Sequence, residues 1–114
     1  MYNKQYNVYS HFSSNIISDV ILVYEQLITL IKAAQQDENT KQHNLERSLD
    51  IVIKLLSSLD YSKDGVGKES LQAFYLLTVK RISKILYCSN DNLYDILIND
   101  IALVKDAWQE LEDK

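Results

Sequence analysis

Proline is absent from this 114-residue chain, and glycine occurs only at Gly65 and Gly67. A β-rich domain of that size needs turn punctuation that this sequence does not supply, whereas long uninterrupted helices do without it. Cysteine occurs once, as Cys88, which excludes an internal disulfide and fits a reducing compartment. Cytoplasmic residence is therefore the expectation. Long apolar runs are missing too: Val20 to Tyr24, as long as any, is far short of the roughly 20 residues that a membrane span takes. The first residues, MYNKQYNVYSHFSSN, carry no apolar stretch of the kind a secretory signal needs. Positive charge is in deficit, with a formal net charge of -4 and pI near 5.0. Nucleic-acid binders draw most of their affinity from basic groups on phosphates, so neither nucleic acid nor an anionic membrane is an expected partner.

What is present is helical period. A hydrophobic share of 46% and a charged share of 25% suit one globular domain with one core. A first helix is predicted from about Asn15, read as its N-cap, to Gln36. It carries two adjacent apolar stripes, one through Val20, Val23, Leu27 and Leu30, the other through Ile21, Tyr24, Ile28 and Ile31. A face that wide belongs either at the centre of a core or under a partner. The polar stretch QQDENTKQH leads to a second helix, about Gln42 to Leu59, striped by Leu45, Leu49, Val52 and Leu56. A third runs from Lys68 to Tyr87 through Leu71, Tyr75, Thr78, Ile82 and Ile85. After the break at Ser89 to Asn92, a fourth runs to Glu112 through Leu93, Leu97, Ile101, Val104 and Trp108. Short connections force neighbours to be antiparallel, so the expected fold is an all-α, up-and-down four-helix bundle over 15–114. Residues 1–14 form an aromatic N-terminal arm with Tyr2, Tyr6, Tyr9 and Phe12.

Chemistry finds little footing. DGVGKES, Asp64 to Ser70, has the glycines, lysine and hydroxyl of a phosphate loop. Such a loop needs GxxxxGK[ST] after a buried strand. Here Ser62 stands where the first glycine should, Ser70 is one place late, and the preceding IVIKLLSSLD reads as helix. A helix–helix turn with Gly65 at positive φ is the reading adopted. His11 and His43 have no companions at metal-ligand spacing and are read as surface residues. Cys88 is read as a half-buried structural thiol, and Glu110, Glu112 and Asp113 as a solvated helix end. No nucleophile elbow or paired-carboxylate cleft is visible, so neither enzymatic activity nor a cofactor or metal is expected.

Apolar surface is left over. Ile51, Ile53 and Leu55 on the second helix, and Leu76, Leu77, Val79 and Leu86 on the third, lie off the main stripes. Either the core absorbs them, or they line a groove for another helix, with the aromatic arm as its cover. A homodimer built on the same surface is the alternative.

Several steps, in order, resemble the flagellar export chaperone FliS family over nearly the whole chain. These are the arm tyrosines Tyr6 and Tyr9, then Val23-Tyr24-Glu25 followed by Leu27, Ile28, Ile31 and Ala34. Leu59-Asp60 before Gly65, then Leu71, Phe74, Tyr75, Arg81 and Ile82, and finally Ala107-Trp108 complete the series. Departures are the absent serine-proline of the first helix, Leu76-Leu77 where the family has Asp-Tyr after the tyrosine, and ILYCSN where the family has an alanine-asparagine step before the last loop. The resemblance implies a cytosolic chaperone that binds the C-terminal, helix-forming segment of flagellin. Holding that segment would prevent premature polymerisation and keep flagellin ready for the flagellar type III export apparatus. The residues it points to as client contacts are Tyr6, Tyr9, Tyr24, Leu27, Ile31, Leu71 and Tyr75.

Overall fold

A computed structural model describes residues 14–59 and 68–113. The arm residues Tyr6 and Tyr9, and the Gly65 turn inside DGVGKES, lie outside the described residues. Four α-helices are present among the described residues: α1 (Ser14–Gln36), α2 (Lys41–Ser57), α3 (Lys68–Cys88) and α4 (Tyr94–Glu112). A 3₁₀ turn, Asp91–Leu93, leads into α4. Helix ends agree with the periodic reading to within two residues, except that Asn15 falls inside α1 rather than capping it.

Two of the connections reverse the chain without proline or glycine. Between α1 and α2, the Asn39 N–H donates to the Asp37 carboxylate at 3.0 Å and the Thr40 hydroxyl to the Asp37 carbonyl at 3.3 Å. An aspartate side chain thereby supplies the turn that a glycine would otherwise permit. Between α3 and α4, Ser89 takes the left-handed conformation, φ 54°, and the Asn90 N–H reaches back to the Lys84 carbonyl. That is a helix stop usually assigned to glycine or asparagine.

α1 lies between α2 and α4, α2 lies beside α3, and the ring closes only loosely where α3 meets α4. The wide face of α1 thus goes to the core: Ile17, Ile21, Tyr24, Leu27, Leu30, Ile31 and Ala34 are all buried. Across the bundle α1 meets α3 through Tyr24 and Tyr75, whose hydroxyls hydrogen-bond at 2.7 Å and whose rings pack edge to face. Much of the leftover apolar surface is absorbed as well, since Ile51, Leu55, Val79 and Leu86 pack half-buried against the core. Cys88 is a correction. It is exposed rather than half-buried, being the last residue of α3.

Near the α3–α4 turn, Tyr94 is buried with no hydrogen-bond partner for its hydroxyl among the described residues. Burial pushes its pKa above the ordinary 10.0, with the charge of Lys41 partly opposing. A hydrogen bond to Asp91 at 2.8 Å holds the Lys41 ammonium above its ordinary 10.5. In both cases the folded protein keeps a proton that the unfolded chain releases. The stability these two groups contribute is therefore full below about pH 10 and falls as pH rises beyond it. Tyr94→Phe removes an unsatisfied hydroxyl, so at pH 7 it is expected to be neutral or to stabilise by about 1 kcal/mol. It should also flatten the alkaline loss. Thermal unfolding at pH 7 and pH 10.5 checks both effects.

Candidate functional site

The loosely closed seam between α3 and α4 is built around one polar bridge. Arg81 on α3 donates to the Asp100 carboxylate on α4, both side chains being part-buried. Helical spacing then fixes what stands beside it, because residues three, four and seven apart share a face. On α3, Leu77 is four residues before Arg81, and Phe74 seven before. On α4, Ile96 is four before Asp100, Leu103 three after, and Ala107 seven after. Leu77 is 42% exposed, Ile96 46% and Leu103 67%. Large aliphatic side chains from two helices therefore border a seam whose helices approach each other less closely than the other neighbours do.

The opposite flank of α4 is tied down. Asp95 accepts from the Gln35 amide at 3.1 Å, Lys105 lies 3.9 Å from Glu25, and the Ser18 hydroxyl donates to Glu112. These bonds hold α4 against α1, so its free flank is the one toward α3. A second apolar shoulder exists on α3 itself. Leu76 and Tyr87 are exposed eleven residues apart, on the same face of α3, away from Arg81. On α2, exposed Ile53 continues the half-buried Leu49 and Leu56. Leu22 is exposed on α1 beside polar Gln26 and Thr29.

The expected contact residues fall elsewhere. Tyr24, Leu27, Ile31, Leu71 and Tyr75 are core residues, none more than 5% exposed. The structure brings them together, but as the support beneath α1 and α3 and not as surface. Helical period marks an apolar stripe without saying whether protein or partner covers it, which is why these five could not be told from true surface residues. Ile96 and Leu103 were not singled out from the sequence. Their signal was an apolar pair seven residues apart, off the Leu97–Ile101–Trp108 stripe.

Nothing in the site resembles a catalytic or metal centre. No three His, Cys, Asp or Glu side chains gather at metal-binding distance among the described residues. No described helix is long and apolar enough to cross a membrane. What the seam offers is apolar area, helical walls and one part-buried ion pair, which suits another helix.

A family model described as "Flagellar protein FliS" matches residues 2–114. The flagellar secretion chaperone FliS of Campylobacter jejuni is 26% identical, over 97% of this chain and 93% of its own length. The flagellar secretion chaperone FliS of Vibrio cholerae is 30% identical over 70% of this chain and 60% of its own. With a match that runs from residue 2 to the last residue, and with a bundle that leaves apolar helix surface free, the chain belongs to the flagellar protein FliS family, a family of flagellar export chaperones.

Proposed function

We propose that the α3–α4 seam receives the C-terminal helical segment of flagellin in the cytoplasm, holding it unassembled until the export apparatus takes it. The observation that carries this reading is the exposure of Leu77, Ile96 and Leu103 along the seam where the ring of helices is least tightly closed. An amphipathic helix laid there buries its own stripe against theirs, the helix-in-groove mode of recognition. The exposed shoulder of α3, with Leu76 and Tyr87, lets a longer client continue around that helix as a second short segment. Tyr24 and Tyr75 act from beneath, fixing α1 against α3. No catalysis is involved.

Flagellin lacking its C-terminal segment is expected to lose binding, and flagellin lacking its N-terminal part to keep it, by calorimetry with the purified proteins. Equal binding of both truncations sinks the proposal. The exposed shoulder of α3 also favours a homodimer as a second reading. Sedimentation at several concentrations separates the two, since a stable dimer indifferent to flagellin would support only the second.

A further inference from the structure

Both walls of the seam carry unpaired charge, and the signs differ. Lys80 and Lys84 are exposed on α3, three and seven residues after Leu77. Asp106 and Glu110 are exposed on α4, three and seven residues after Leu103. The spacing is the same on both helices, so each charged pair forms the outer edge of its own apolar strip. None of the four makes an ion pair among the described residues, whereas Arg81, Asp100, Lys105 and Glu25 are all engaged. The segregation extends along the helices. α3 holds Lys68, Lys80, Arg81 and Lys84 against Glu69, and α4 holds Asp95, Asp100, Asp106, Glu110 and Glu112 against Lys105.

The Arg81–Asp100 bridge sets the register. With these antiparallel residues level, position 108 on α4, midway between Asp106 and Glu110, is level with position 73 on α3. Position 82, midway between Lys80 and Lys84, is nine residues further along, or about 14 Å at 1.5 Å per residue. The basic edge therefore lies toward the α3–α4 turn and the acidic edge toward the other end. The charges face each other diagonally across the seam.

We infer that the seam selects its occupant by charge as well as by shape. The occupant is an amphipathic helix with acidic residues on the flank facing α3 and basic residues, displaced along its axis, on the flank facing α4. This rests on the seam being the client site. Opposite signs on two walls reject a helix with one sign on both flanks, because one side then meets like charge. Charges at the rim of an interface act mainly through such discrimination. A chain of net charge -4 would otherwise favour any basic helix. That distinguishes wall-by-wall recognition from general attraction.

The test uses three synthetic 18-residue helices with one leucine stripe and different flanks, measured by fluorescence anisotropy against the full chain. One has glutamates on one flank and lysines on the other, offset toward opposite ends; the second has glutamates on both; the third has lysines on both. The mixed peptide is expected to bind the wild type tightest, by about five-fold over either single-sign peptide. The preference should fade at 1 M salt, where screening acts within about 3 Å. Asp106→Lys with Glu110→Lys makes both walls basic, and the all-glutamate peptide should then bind tightest. Equal affinities throughout, or an all-lysine preference in the wild type, overturn the charge inference while leaving the apolar seam standing. If no peptide binds, the seam itself is not the site and the inference falls with it.

Discussion

Leu77→Asp combined with Leu103→Asp is expected to weaken binding of the flagellin C-terminal segment by about 100-fold or more. The two leucines are 42% and 67% exposed, so the free protein loses little when they change. Surface substitutions away from caps and buried networks usually alter stability by no more than about 0.5 kcal/mol. The bound state loses far more. Each leucine forfeits part of the ~1.5–3 kcal/mol that full burial of such a side chain provides, and each aspartate must be desolvated against an apolar stripe or keep the helix away. A combined loss of about 3 kcal/mol already corresponds to about two decades in affinity. Calorimetry gives the affinity, and Trp108, the only tryptophan, reports by its fluorescence that the bundle is intact.

Tyr24→Ala should behave in the opposite way. Tyr24 is fully buried, packs against Phe74 and Tyr75, and bonds the Tyr75 hydroxyl at 2.7 Å. Truncating a buried aromatic side chain leaves a cavity and costs about 3–5 kcal/mol. The remaining Tyr75 hydroxyl also loses this buried partner, and domains of this kind are stable by only about 5–15 kcal/mol in total. Urea unfolding should show a much lower midpoint, with binding reduced only in proportion to the fraction unfolded. Tyr24→Phe keeps the packing and removes the hydroxyl, so a loss of about 1 kcal/mol is expected. If Tyr24→Ala were instead stable and defective in binding, Tyr24 would have to contact the client directly.

These two substitutions mark where the sequence was readable. The helices were legible because their stripes repeat every three to four residues for five or six turns, and because the near absence of glycine and proline leaves few alternative structures. The turn after Cys88 was visible as a polar cluster, but not its mechanism, since a positive φ at Ser89 follows from the chain reversal and not from residue type. The site was only half legible. Surplus apolar residues on α3 were seen, and Leu77 proved to be surface while Val79 and Leu86 were claimed by the core. The same periodicity that places Tyr24 and Ile31 on one stripe cannot say that α2 and α4 flank α1 and bury it. Ile96 and Leu103 matter because α4 is bound to α1 on one side and free on the other, a fact of tertiary packing.

The proposal that the α3–α4 seam is where the client helix lies rests on the free surface of Leu77, Ile96 and Leu103. Methyl-resolved NMR during titration with the flagellin C-terminal segment tests it most directly. The expected result is large shifts at the methyl groups of Leu77, Ile96 and Leu103, with much smaller ones at Leu22 on α1. Shifts concentrated at Leu22, with the seam methyls unmoved, would contradict it.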